Sequence, residues 1–462
     1  MTRKKFAAAG RACLGVDKQW TLDSQAILKP VIAEKPDLNG ALSSLDAFCS
    51  ELKSEHFDMV INLSFSPFSS YLTEVIAGGL SEVRGYSRYE DGTLSIPDDS
   101  SAYFFAQVGG GRGNRIHVTD VFAAVAGVDL VESDWNTGAA VLNLPAKLSS
   151  EVGSYPVVVH VGASDLAKTF SWSKWLQIVR GLNATYHGAV VLVGSPEESE
   201  IAEKVAAVSG PRKVVNLVGK TTIEELFAVI SKAAVVIGGD SAPVQIATLT
   251  GTQVLNVSFP MVNYWETGPR SAGSRIVTVD GDDSIASDVI VREAMAMILK
   301  TRTELQVVEV PGRTMPYVVT AGQSQLFEWE LQKALYMSET FPPPPNETFL
   351  LAIQRLAEIN SICLEQVEAL KRNHQNKTAA SILDRGDEIM AQIERVMPEA
   401  GPIVRWFQVE RMRIGPQGID QLIESTAEVH RRLALVLEVY GQVFTADLNV
   451  PLGGSNDDVN LG

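Results

Sequence analysis

Val157-Val158-Val159-His160-Val161-Gly162-Ala163-Ser164 and Val235-Val236-Ile237-Gly238-Gly239-Asp240-Ser241-Ala242-Pro243 share one design. Each opens with a short run of apolar, mostly β-branched residues and passes into small and polar ones. Such a run is too short for a helix and reads as a strand buried on both faces. Val190–Val193 and Val254–Val257 repeat the pattern. Between these runs, Trp172, Trp175, Leu176, Val179 and Leu182 fall on one helical face, as do Ile223, Leu226, Phe227 and Ile230. Strands alternating with amphipathic helices predict a parallel, doubly wound sheet with right-handed crossovers.

The chemically active residues follow the strands, at the edge where an open parallel sheet takes its ligand. Lys168 lies between a strand end and a tryptophan-rich helix. Its ammonium either pairs with a diphosphate, helped by the amides of a helix start, or is a solvated surface lysine. Ser164 either donates to a phosphate oxygen or caps its turn. Asp240 and Ser241 precede the helix carrying Ile246, Ala247 and Leu249. They serve as a cap, as an anion-binding helix start, or as both, because one cap leaves other amides free. Glu197 and Glu198 follow Val193-Gly194-Ser195-Pro196 and suit either ribose hydroxyls or the positive end of a helix. Gly219-Lys220-Thr221 lies at the same edge but lacks the upstream glycine of a Walker loop. Trp265-Glu266-Thr267-Gly268-Pro269-Arg270 is read as a turn at the binding edge. The pattern points to a phosphorylated or nucleotide-linked small molecule.

The chain has 462 residues, 45% hydrophobic and 20% charged, which suits a soluble globular protein of two or three domains. A net charge of −16 argues against a nucleic-acid surface, which needs a basic footprint. Cys13, Cys49 and Cys363 match no zinc or redox spacing, so a reducing cytoplasm is expected. The basic start at Met1-Thr2-Arg3-Lys4-Lys5 resembles a signal peptide only superficially, because Gly10-Arg11 interrupts the apolar run. No stretch is long enough to span a bilayer.

Outside the central segment, Met59-Val60-Ile61-Asn62-Leu63 reads as a buried strand, and a helix is expected from about Asn114 to Val125. Arg112, Arg115 and His117 form a small basic cluster suited to an anionic acceptor, or to ordinary solvated surface. Beyond a β-like stretch at Val307–Val319, Pro342 to Pro345 make a stiff spacer. Two apolar stripes follow, Leu356-Ile359-Cys363-Val367-Leu370 and Ile419-Leu422-Thr426-Val429-Leu433-Val436-Tyr440. They predict a helical bundle with Gly401-Pro402 as a turn, and stripes of this kind need a partner surface. No Ser–His–Asp order, zinc helix or P-loop is present.

Taken in order and spacing, these segments resemble the heptosyltransferases, ADP-heptose:lipopolysaccharide glycosyltransferases of GT-B fold. The blocks that carry the resemblance are His160-Val161-Gly162-Ala163-Ser164 with Lys168, Trp172 and Trp175, then Val193 to Glu198, and Asn216 to Thr221 with Glu224-Glu225-Leu226. Gly238 to Pro243, Gly251-Thr252 and Thr267-Gly268-Pro269 complete them, with Phe57 to Leu63 and Arg115 to Asp120 nearer the start. The similarity covers roughly residues 15–300.

The resemblance implies an α/β fold with two Rossmann-like domains facing across a cleft, followed by an all-helical extension. The expected divisions are 1–148, 149–305, a linker at 306–345, helices over 346–450 and a disordered tail at 451–462. It implies an inverting glycosyltransferase that moves a heptose-like sugar from a nucleotide-diphosphate donor to a glycan, lipopolysaccharide or protein acceptor. No cofactor and no metal are expected. Lys168 and the helix start at Asp240 and Ser241 would stabilise the departing diphosphate. Gly162, Ala163, Ser164, Glu197 or Glu198, Lys220, Thr221, Gly239, Ala242 and Gln245 would line the donor site. Arg112, Arg115 and His117 would face the acceptor. The enzyme would work in the cytoplasm, at or near the inner membrane face, and the helices would mediate self-association or docking.

Two departures stand out. Gln245 occupies a position where the family usually has a histidine, and the strand and glycine-aspartate turn that open family members and supply the general base are not visible. Leu14-Gly15-Val16-Asp17 imitates that turn poorly, leaving Asp17 as the aspartate on offer. A catalytically impaired sugar-nucleotide binder or scaffold is therefore the rival reading, and a nucleotide-sugar epimerase a third.

Overall fold

The computed structural model describes residues 1–13, 15–109, 113–131, 144–163, 165–207, 214–301, 307–310, 313–318 and 324–447. The chain divides into two units, one of Met1–Ser50, Ile116–Asp120 and Asp129–Gly322, the other of Glu51–Arg115, Val121–Val128 and Gln323–Gly462.

The first unit is built on an eight-stranded sheet. In spatial order its strands are Val307–Val310, Arg313–Val318, Arg275–Thr278, Val254–Ser258, Val235–Gly238, Val157–His160, Val190–Val193 and Val214–Asn216. All neighbours run parallel except the first two. The four valine-rich strands lie where the sequence places them, and every residue in them is buried. That total burial is why they do not alternate polar and apolar residues: helices cover both faces. On one face Trp175, Ile178 and Leu182 of the Trp172–Thr185 helix pack with Ile290 and Ala294. On the other, Phe227, Ile230, Val244 and Ala247 do so. Fully burying side chains of this size stabilises by roughly 1.5–3 kcal/mol each.

Val214–Asn216 and Arg275–Thr278 are strands that the periodicity did not reveal. One is very short and the other carries polar ends, so pairing with a longer neighbour defines them. Residues near the start also belong to this unit. The helix Ala7–Ala12 packs on Ile223–Ser231, with Ala12 in the core and Arg11 2.6 Å from Glu224.

The second unit contains a parallel pair, Met59–Asn62 with Glu82–Gly85, and the hairpin Ser87–Arg88 with Leu94–Ser95. Its helices include Pro67–Ala77, Asp99–Gln107, Ser324–Tyr336, Glu347–Arg372, Lys377–Val396, Gly401–Met412 and Ile419–Asp447. The bundle core gathers Phe349, Ile353, Leu356, Ile403, Phe407, Leu433 and Tyr440. Cys363, Val367, Ile423 and Ala427 form a second cluster. The two predicted stripes therefore cover each other. The Gly401–Met412 helix also buries Val409 against Tyr86, Ile96, Ala102 and Ala106. Polar bonds reinforce this packing: Tyr103 Oη to Gln332 Oε1 at 3.1 Å, Gln107 Nε2 to the Pro402 carbonyl at 3.1 Å, and Arg413 to Asp99 at 2.7 Å. The helices thus share a unit with residues 51–115 instead of standing alone. Gly401-Pro402 is not the turn but the start of a helix, because proline is tolerated where the first amides have no helical partner. The turn is the preceding 3₁₀ segment, Pro398–Ala400.

The α/β class with a parallel sheet and a helical C-terminal region is as expected. Among the described residues, no helix is long and apolar enough to cross a membrane. The 451–462 tail and most of the 302–323 stretch lie outside the described residues.

Candidate functional site

In chain order the six parallel strands from Val157 to Thr278 are arranged 3-2-1-4-5-6, with Val157–His160 beside Val235–Gly238 at the reversal. Loops from these two strands leave toward opposite faces, which opens a crevice at their carboxyl ends. The loops that follow are those of Gly162 to Lys168 and Gly239 to Ser241.

Lys168 ends the 3₁₀ turn Leu166–Lys168, which Asp165 caps by accepting from the Ala167 amide at 2.9 Å. Thr169 locks the far side of the loop, accepting from Trp175 Nε1 at 3.0 Å. A Cβ on Gly239 would lie 2.9 Å from the Lys168 carbonyl, so the two loops touch at their backbones. The Lys168 side chain is half-buried, and no ion pair engages its ammonium among the described residues.

Ser241 holds the cap position of the helix Ala242–Leu249 in an extended conformation, φ −161° and ψ 165°, but its side chain does not cap it. Its hydroxyl donates instead to the Gly239 carbonyl at 3.0 Å. The Val244 and Gln245 amides donate to the Ser241 carbonyl at 3.1 and 3.2 Å and Pro243 has no N–H, so the Ala242 amide is the one that Ser241 leaves open at the helix start. Asp240 is half-buried ahead of it. A lysine on one loop and a helix start that its cap residue leaves open on the adjoining loop suit a polyanion.

Glu197 and Glu198, alternatives in the sequence, separate here. Glu198 turns inward: Oε2 accepts from the Ser195 amide at 2.6 Å, and Oε1 lies 3.4 Å from His160 Nε2. Its carboxylate fills the space beside two glycines. A Cβ on Gly162 would meet Oε1 at 1.9 Å, and one on Gly194 would meet Oε2 at 2.2 Å. Burial pushes the Glu198 carboxyl up, but His160 and the Ser195 amide outweigh it and hold the group below its ordinary value. Glu197 is exposed, and its own amide and the Ser195 hydroxyl hold its carboxyl low. Glu197 is the carboxylate open to a ligand.

Gly219, at φ +68°, brings the next loop to within 3.0 Å of Pro196 Cα, measured from where its Cβ would be. Lys220 is exposed and donates to the Asn216 carbonyl at 3.0 Å, while Thr221 precedes the capping box of Thr222 and Glu225.

Gln245 Nε2 donates to the Thr267 carbonyl at 2.7 Å. His117 Nε2 contacts the next carbonyl, Gly268, at 3.0 Å, and its Nδ1 faces Thr119. Asp120 forms a bidentate pair with Arg270. His117 is therefore engaged with the Thr267–Arg270 turn. Arg115 is half-buried in the other unit, and Asp17 is exposed in the turn after Cys13. Ala163 is half-buried and Ala242 exposed at the crevice loops. Ser164 and Arg112 lie outside the described residues. Two participants carried no role in the sequence reading: His160 as the partner of Glu198, and Asp120 as the partner of Arg270. Pairs so far apart in the chain leave no local pattern to read.

A parallel sheet of order 3-2-1-4-5-6 with Lys168 and the start of Ala242–Leu249 at its switch point defines a protein of the doubly wound α/β class. Its family follows from comparison: the chain belongs to glycosyltransferase family 9 (heptosyltransferase), which matches residues 46–280, about half of its length. A stretch of 92 residues is 36% identical to the lipopolysaccharide core heptosyltransferase OpsX of Haemophilus influenzae, covering 20% of this chain and 26% of that protein. Another of 108 residues is 32% identical to lipopolysaccharide heptosyltransferase 3 of Escherichia coli, covering 23% and 32%. The chain thus spans about a quarter to a third of the length of the curated relatives it matches. Among solved structures, the E. coli heptosyltransferase WaaC with ADP is similar at a TM-score of 0.47 and 15% identity, covering 64% of this chain and 88% of that one. The glycosyl transferase family 9 protein from Veillonella parvula is similar at 0.42 and 14%, covering 60% and 87%.

Proposed function

We propose that this protein is an inverting glycosyltransferase that moves a heptose-like sugar from a nucleotide-diphosphate donor to a glycan, lipopolysaccharide or protein acceptor. The observation that supports the reading is the backbone contact of the Lys168 and Gly239 loops ahead of the Ala242–Leu249 helix, whose Ser241 does not cap it, in a member of glycosyltransferase family 9. An acceptor oxygen attacks the anomeric carbon, the bond from that carbon to the diphosphate oxygen breaks, and the acceptor proton passes to a base. Charge grows on the departing diphosphate, where fixed donors stabilise it most because they need no reorganisation. Lys168 and the amides of Gly239 and Ala242 supply those donors. Glu197 takes the ribose hydroxyls, Asp240 accepts from the sugar, and Lys220 and Thr221 border the nucleotide. On this reading the protein works in the cytoplasm, at or near the inner membrane face.

The test is transfer from ADP-heptose to a lipopolysaccharide-core acceptor, with and without EDTA, by wild type and Lys168→Ala. Transfer that survives EDTA and is lost in the variant supports the reading. Tight ADP binding without turnover would make the protein a sugar-nucleotide binder instead, and an isomerised sugar formed without acceptor would make it an epimerase.

A further inference from the structure

We infer that His117 and Asp120 are positioning residues of the donor site, acting through the Thr267–Arg270 turn; this rests on the donor reading above. The turn is gripped from two sides. On one side stands the helix Ala242–Leu249: Gln245 Nε2 donates to the Thr267 carbonyl at 2.7 Å, and Thr248 Oγ1 accepts from the Arg270 amide at 3.2 Å. On the other side stands the segment Ile116–Asp120: His117 Nε2 reaches the Gly268 carbonyl at 3.0 Å, and Asp120 holds the Arg270 guanidinium with both oxygens. Thr267 and Gly268 are consecutive, so a helix residue and a residue far away in sequence bind adjacent carbonyls.

The histidine is held in one tautomer. The Thr119 amide donates to Nδ1 at 3.2 Å, which leaves Nε2 to carry the proton that it gives to Gly268. The Arg270 side chain is 7% exposed, so its pairing with Asp120 is shielded from solvent. Gly268 packs with no room for a side chain: a Cβ there would lie 2.5 Å from the Tyr264 carbonyl and 2.9 Å from Ile276 Cδ1. A rigid turn fastened to Gln245 fixes the first turn of the helix, which carries the Ala242 amide toward the donor's charge. Donors aimed at developing charge lose most of their effect when displaced by an ångström or less. His117 accordingly serves the donor without touching it, a different role from contact with an acceptor.

The experiment uses the full chain with ADP and ADP-heptose as probes. His117→Ala and Gln245→Ala should each weaken ADP binding, measured per folded molecule by calorimetry, by about tenfold. The double variant should lose little more than either single one, because both act on one turn. His117→Gln, which can still offer an N–H to Gly268, should recover most of the affinity. Asp120→Asn should lower kcat more than it raises the KM for ADP-heptose. Unchanged ADP affinity in His117→Ala, or fully additive losses in the double variant, would overturn the positioning role while leaving the donor site standing. Wild type that binds neither ADP nor ADP-heptose would overturn the donor reading itself, and this inference with it.

Discussion

The peptide of Gly239 passes so near the Lys168 carbonyl that a side chain there would begin 2.9 Å from it. Two loops from adjacent strands therefore meet backbone to backbone at the switch point. This contact fixes the spacing of the two loop backbones that carry Lys168 and lead into the Ala242–Leu249 helix.

Gly239→Ala should accordingly weaken ADP binding by tenfold or more, because the obstructing atom is main chain and cannot swing aside. Lys168→Ala should weaken ADP binding and turnover by at least as much. Isothermal titration on both variants, with melting temperature as the folding control, checks this.

Glu197 and Glu198 should part company on substitution. Glu197→Ala should reduce ADP affinity with an unchanged melting temperature. Glu198→Ala should lower stability by about 1–2 kcal/mol, since it removes a capping carboxylate and leaves His160 without its partner. Thermal unfolding measured beside ADP titration separates the two outcomes.

Gly162→Ala should displace the Glu198 carboxylate, which a Cβ would meet at 1.9 Å. Its cost and that of Glu198→Ala should then be strongly non-additive, because the double variant removes the clash. Denaturant unfolding of both single variants and the double variant measures the coupling.

His430 should make stability fall with acidity. It is fully buried, Nδ1 lies 2.7 Å from Asn360 Oδ1, and Nε2 has no hydrogen-bond partner among the described residues. Burial, and secondarily Arg411, push its imidazole down to about 4. The unfolded chain takes up the proton near pH 6.5 and the folded one only near 4, so stability is present above 6.5 and drains away as pH falls through that window. Between pH 7 and 5 the loss should be about 2 kcal/mol. His430→Asn should flatten that part of the denaturant-midpoint profile.

Val409→Asp should unfold the second unit at a lower temperature, because it puts a charge among Tyr86, Ile96, Ala102 and Ala106. Circular dichroism melting of the full chain tests it.

Much of the sheet was legible from one dimension. Valine runs at Val157, Val190, Val235 and Val254 can be stable only where both faces are covered, and that requirement alone yields a parallel sheet with helices on each side. The position of Lys168 and Asp240 after those strands was legible for the same reason: crossover topology sends ligand-binding loops to the carboxyl edge. Which glutamate turns inward was not, since Glu197 and Glu198 differ only in how Ser195, His160 and two glycines surround them. The same holds for His117 and Asp120, which meet Gly268 and Arg270 about 150 positions away. The helical stripes announced that they needed a surface but not which one; Glu347–Arg372, Gly401–Met412 and Ile419–Asp447 supply it to one another, with residues 51–115 beside them. Periodicity and local chemistry act over a few residues and can be read in order along a chain. Pairings across long separations depend on where folding brings the backbone, and short-range pattern carries no trace of them.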